Sequence, residues 1–62
     1  MLPSDVTRRA RVFDRPDGRG VVGTIVEVFD EFTFRLRTDR GREYEFSTKS
    51  GQVQVQFLGG TQ

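Results

Sequence analysis

Residues 32–37, Phe-Thr-Phe-Arg-Leu-Arg, alternate apolar and polar side chains without a break. Side chains of a strand point alternately to its two faces, so Phe32, Phe34 and Leu36 are predicted to face a core while Arg35 and Arg37 face water. Asp39-Arg40-Gly41 separate this run from Arg42-Glu43-Tyr44-Glu45-Phe46. A glycine in the third loop position suits a hairpin whose last loop residue is left-handed. Closing that loop on Thr38 and Arg42 sets Leu36 opposite Tyr44 and Phe34 opposite Phe46. The same register sets Arg37 opposite Glu43 and Arg35 opposite Glu45, two pairs of opposite charge. Phe34, Tyr44 and Phe46 are thereby assigned to the core.

Upstream, Val21-Val22-Gly23-Thr24-Ile25-Val26-Glu27-Val28-Phe29 is rich in β-branched residues with apolar side chains on both faces. A long strand whose two halves serve different parts of a small barrel has this pattern, and Gly23 is the residue expected to permit the bend or bulge. The turn-forming stretch from Asp14 to Gly20 joins it to a first strand, about Arg9 to Phe13. The last strand is placed at 52–58, reached through the polar segment Ser47-Thr48-Lys49-Ser50-Gly51. Its outward residues, Gln52, Gln54 and Gln56, carry no charge, although edge strands are normally guarded by charge against pairing with another chain. Leu2 to Arg9 has two readings, a helical turn started by Pro3 and Ser4 with Ser4 as its cap or an extension of the first strand by Val6, and the turn is preferred. The reading is an all-β, five-stranded small barrel formed by residues 1–62 as one domain, with a long bent second strand and with 1–7 and 59–62 loosely ordered.

At 62 residues the domain lies near the lower size limit for unaided folding, and with no Cys and no His neither disulfides nor a His/Cys metal site can reinforce it. No metal or other cofactor is expected, and self-association is the remaining device. No apolar run follows Met1–Asp5 and no stretch approaches membrane-span length, so a cytoplasmic location away from the membrane is expected. Net charge is only +1. It is unevenly spread: residues 1–20 hold five Arg (Arg8, Arg9, Arg11, Arg15, Arg19) against three Asp.

No nucleophile–base arrangement and no phosphate-binding loop is present, because the glycines of 18–23 open a β-run and not a helix. Asp30 and Glu31 read as solvated loop residues, and the chain is not expected to be an enzyme. Gly18, four residues, Gly23-Thr24-Ile25, then Phe29-Asp30-Glu31-Phe32 resembles the Sm1 motif of Sm-like RNA-binding proteins, especially the bacterial host-factor type. The likeness covers about Val12 to Leu36. The Asp comes one residue late after the second glycine, and no Sm2 signature follows around Thr48 to Val55. The stretch Gly23 to Val28 is equally similar to KOW-like, Tudor-like and other SH3-like barrels, some of which contact RNA and some proteins. The type II plasmid dihydrofolate reductases share that barrel, but their Val-Gln-Ile-Tyr signature is not reproduced here.

Two functions are therefore expected to compete. One is a nucleic-acid-binding module, RNA before DNA, with Arg8, Arg9, Arg11, Arg15 and Arg19 on phosphates and Phe29 or Phe32 stacking on bases. Phe13, Phe29 and Phe32 lie near loops, and packing is the ordinary role for such rings in a small barrel. The other is a protein-interaction barrel that binds a partner or itself by strand addition along Gln52, Gln54 and Gln56.

Overall fold

Five strands follow one another along the chain: β1 (Arg9–Phe13), β2 (Val21–Val28), β3 (Thr33–Thr38), β4 (Glu43–Ser47) and β5 (Gln54–Phe57), after one 3₁₀ turn at Pro3–Asp5. The computed structural model describes residues 2–15, 18–49 and 51–59. Every pairing is antiparallel, and the order across the sheet is β4-β3-β2-β1-β5. The all-β plan and the lone helical turn are as expected. β4 and β5 do not pair with each other, so the sheet is open, with these two strands as its edges.

The β3–β4 hairpin has the register its sequence predicts, with Leu36 opposite Tyr44 and Phe34 opposite Phe46. Gly41 takes φ +86°, and Thr38 N–H donates to the Arg42 carbonyl at 2.7 Å. The outer charges stand opposite one another as expected, Arg35 with Glu45 and Arg37 with Glu43, but the ion pairs gather on Arg35. Arg35 reaches Glu27 at 3.2 Å, Glu45 at 3.0 Å and Glu43 at 3.9 Å, so the Glu43 carboxylate turns to Arg35 and not to Arg37. A guanidinium with five donors can serve several acceptors, and β2 supplies Glu27 from the other side.

β2 is the bent strand, with the irregularity at a different residue. It pairs with β1 through 21–24 and with β3 through 23–28, and the register shifts between Ile25 and Glu27. Val26 is therefore the bulged residue, and the bulge turns both Ile25 and Val28 inward. That accounts for apolar residues at both parities of the run. Gly23 sits in regular pairing opposite both Ala10 and Thr38. Its role is close approach: a Cβ there would collide with the Arg37 carbonyl, lying 2.8 Å from its carbon.

Ala10, Val12, Ile25, Phe34 and Leu36 are completely buried, with Val21, Val28, Phe46, Val53 and Val55 packed around them. Phe34 and Phe46 meet with ring centroids 5.8 Å apart. Tyr44, assigned to the core from sequence, is 37% exposed. It faces inward, but from an edge strand with no neighbour to cover it, and it leans on Phe46 at 6.0 Å. Phe29 and Phe32 are also exposed, at 44% and 41%, where packing was the ordinary expectation.

Hydrogen bonds tie residues 2–8 together and to β2. Asp5 is buried; its Oδ2 accepts the Leu2 N–H at 2.9 Å and its Oδ1 takes Arg8 at 3.1 Å. Leu2 is thus the capping position and Ser4 lies inside the turn, a correction to the sequence reading. Thr7 N–H donates to the Ile25 carbonyl at 2.7 Å and Ile25 N–H to the Arg8 carbonyl at 2.9 Å, which extends β1 beside the bulge. Thr7 makes this junction with φ +79°, a left-handed conformation that suits a β-branched residue poorly. Met1 and 60–62 lie outside the described residues.

Phe34→Ala should cost about 3–5 kcal/mol in urea denaturation, most of the stability a domain of this size can have. Phe32→Ala should cost well under that, and equal losses would mean the faces are misassigned. Thr7→Gly should hold or raise the thermal midpoint, with a gain of up to about 1 kcal/mol once the extra freedom of glycine in the unfolded chain is counted. A clear loss would show that the Thr7 side chain contributes more than its backbone strain costs.

Candidate nucleic-acid interface

Antiparallel pairing decides which loops meet. The end of β1 lies beside the start of β2 and the start of β5, because Val12 pairs with Val21 and Phe13 with Gln54. Thr38 pairs with Gly23, so the β3–β4 loop comes to the same end. Arg15 and Arg19 from the first loop and Arg40 and Arg42 from the third are thereby gathered at one end of the sheet. In sequence the two pairs are more than twenty residues apart.

The arginines divide into those with a carboxylate partner and those without. Arg8 is paired with Asp5, and its guanidinium carbon lies 3.8 Å from the Phe57 ring centroid. Arg9 grips Asp39 with two hydrogen bonds of 3.0 and 3.3 Å and raises that loop's hold on β1 across β2. Arg35 takes three glutamates. Among the described residues no ion pair involves Arg11, Arg15, Arg19, Arg37, Arg40 or Arg42. Of the five arginines singled out from sequence, then, Arg8 and Arg9 are engaged and Arg11, Arg15 and Arg19 are not. Arg40 and Arg42 join them, and only the pairing of β3 with β2 could have revealed that.

Arg11 is the most constrained of these. It sits on the outer face of β1, opposite Val22 on one side and Gln56 on the other. Its Nε is buried with no hydrogen-bond partner. Buried donors are nearly always satisfied, and this one is an exception. Gly20, at φ +80°, lays its backbone on the same residue: a Cβ there would come 2.8 Å from Arg11 Cγ and 3.0 Å from Phe13 Cε1. The first loop therefore folds over the Arg11 stem and the edge of the Phe13 ring.

Two clefts open among these residues. One, of about 400 Å³, is lined by Phe13, Arg15, Gly18, Gly51, Gln52 and Gln54. The other, of about 550 Å³, is lined by Val22, Thr38, Asp39, Arg40, Arg42 and Tyr44. Each holds an aromatic ring and at least one arginine with no ion pair among the described residues, and Val22, which pairs with Arg11, lines the second. The residues expected to serve two rival functions are thus neighbours: Gln56 stands opposite Arg11 and Gln54 opposite Phe13 on one outer face.

Phe29 and Phe32 are not part of this surface. They occupy the β2–β3 loop at the opposite end, roughly 20 Å along β2 from Val22 at the usual rise per residue. Asp30 Oδ1 accepts the N–H groups of Phe32 and Thr33, each at 2.8 Å, and this turn leaves both rings outside. The Arg35 guanidinium lies over Phe29 at 5.2 Å. The rings that lie beside unpaired arginines are Phe13, which the sequence placed near a loop, and Tyr44, whose exposure depends on β4 being an edge.

Among the described residues no cluster of three or more acidic side chains could hold a metal ion. Among the described residues no helix is long and apolar enough to cross a membrane. No family model matches the chain, and no curated protein or solved structure matches it either.

Three aspartates are held below the ordinary carboxylate range. For Asp5 the first cause is the Leu2 N–H, followed by Arg8; for Asp30 it is the Phe32 N–H, and for Asp39 the Arg9 guanidinium. A depressed folded-state value means stability that is present above the unfolded value of 3.8 and is lost as pH falls through the lower folded value. Urea midpoints should therefore be flat near neutrality and fall on acidification below pH ~4. Asp5→Asn should flatten that acid limb, and an unchanged limb would show that this carboxylate does not govern it.

Proposed function

We propose that this chain is a non-enzymatic nucleic-acid-binding module of the SH3-like or Sm-like barrel class, taking single-stranded RNA in preference to DNA at the end of the sheet where its free arginines gather. The observation that carries this reading is the gathering of Arg15, Arg19, Arg40 and Arg42 at one end of the sheet, none with an ion pair among the described residues, beside clefts that hold Phe13 and Tyr44. Arg11, Arg15, Arg19, Arg40 and Arg42 supply phosphate contacts, and Phe13 and Tyr44 supply ring faces on which bases can stack. Gln54 and Gln56 lie within reach of base or sugar edges on the same face.

Strand order, the bent β2 and the short polar link before β5 support the barrel class. The likeness of 18–32 to an Sm1 motif favours RNA over DNA. A single strand fits better than a duplex, because rings standing in clefts serve unstacked bases and duplex RNA hides its own. The absence of Cys fits a reducing compartment such as the cytoplasm.

The test is the salt dependence of oligonucleotide binding, read by fluorescence anisotropy. Each phosphate neutralised on a single strand releases about 0.7 counterion, so removing two contacts together should lower the slope of log K against log salt by about 1.4. That loss is expected for Arg15→Ala with Arg19→Ala, and again for Arg40→Ala with Arg42→Ala, circular dichroism being unchanged in both. Asp39→Asn, which frees Arg9, should strengthen binding at low salt. Absence of binding to RNA and DNA oligonucleotides at low salt would defeat the proposal.

A further inference from the structure

β5 is an open edge, and its backbone pattern shows what it offers. Leu58 N–H donates to the Arg9 carbonyl at 2.9 Å, which makes that pair hydrogen-bonded. Hydrogen-bonded and non-bonded pairs alternate in an antiparallel ladder, so Gln56 and Gln54 also turn their backbone groups toward β1. Val55 and Phe57 turn theirs away from the sheet, to where a further strand would lie.

The two edges of the sheet are not equally receptive. β4 carries Glu43 and Glu45 on its outer face, and pairing β4 with a second β4 would bring glutamates directly opposite one another. β5 carries Gln54 and Gln56 there and no charge at all. Its inward side shows an unfinished surface, with the Phe57 ring 38% exposed and Val55 half-buried.

We infer that β5 pairs antiparallel with β5 of a second copy of this chain about a two-fold axis at Val55, and that this dimer joins the two basic faces into one nucleic-acid track. The pairing is self-complementary on both sides. Gln54 lies opposite the second copy's Gln56, Val55 opposite its own equivalent, and Val53 opposite the second copy's Phe57, which covers part of the exposed ring. The axis stands perpendicular to the sheet, so both outer faces point the same way. Arg11, Gln56, the second copy's Gln54 and the second copy's Phe13 then form one row about 14 Å across at the usual strand spacing. A site that is a short patch on one chain becomes a continuous surface on two. The track rests on the nucleic-acid reading above; the pairing itself does not.

The experiment compares sedimentation equilibrium of the unmodified chain, of Gln54→Lys/Gln56→Lys and of Gln54→Glu/Gln56→Glu, alone and mixed in equal amounts. The unmodified chain should sediment at twice its 7.1 kDa mass. Each charged variant alone should dimerise more weakly by roughly tenfold or more, since like charges then face each other twice. The mixture should recover the dimer. A monomer at high concentration, an assembly larger than two, or charged variants that dimerise unchanged would each overturn the pairing. Oligouridines of about 6 and about 16 nucleotides separate the second element, the longer one saturating at one per dimer and the shorter at one per chain. Equal stoichiometry per chain for both lengths would overturn the joined track. A dimer that binds neither would defeat the nucleic-acid reading and leave the pairing standing, and a monomer that binds the shorter one would do the reverse.

Discussion

At Gly23 the backbone of β3 comes so close to β2 that one methyl group would not fit, while on its other side β2 is paired with β1. This contact fixes Thr38 beside Gly23, and with it the position of everything in the β3–β4 loop. It places Asp39 where Arg9 can reach it across β2. It also brings Arg40 and Arg42 to the end of the sheet where the first loop turns. Three residues later the bulge at Val26 lets the same strand turn Ile25 and Val28 inward together, so one strand serves the whole core. The geometry of the basic face follows from a single position where no side chain is allowed.

Charge is arranged so that most of the acids already have partners, including Asp39 at the basic end, which Arg9 holds. Glu27, Glu43 and Glu45 converge on Arg35, Asp5 is folded under the first turn with Arg8, and Asp30 accepts backbone N–H groups in its own loop. Exposed ion pairs add little to stability. Their larger effect here is on distribution, because a net charge of +1 leaves an end of the molecule where arginines outnumber the acids free to meet them. Clustered unpaired charge of this kind attracts polyanions from a distance, over about one Debye length at physiological salt.

The β3–β4 hairpin was legible because two independent patterns, apolar on one face and charged on the other, agree on one register. The bulge was not, since Val26 is a β-branched residue among others and nothing local distinguishes it from a regular strand position. Gly23 attracted the bend because glycine permits one, yet its freedom is used for contact. The exposure of Tyr44 depends on which strands are edges, and strand order is a property of the whole sheet. The candidate site was half visible for the same reason. Arg11, Arg15 and Arg19 are close in sequence and stayed together, whereas the neutralisation of Arg9 and the recruitment of Arg40 and Arg42 involve partners about thirty residues away.

β1 lies between β2 and β5, so its two partners are made at different times. The hairpins from Val21 to Ser47 can form as soon as they are synthesised, but one side of β1 must wait for residues 54–57. During that interval an interior strand is an exposed edge, the kind that adheres to other nascent chains. Arg9 and Arg11 alternate along it with Ala10 and Val12. Charged side chains spaced in this way along an open edge disfavour pairing with another chain.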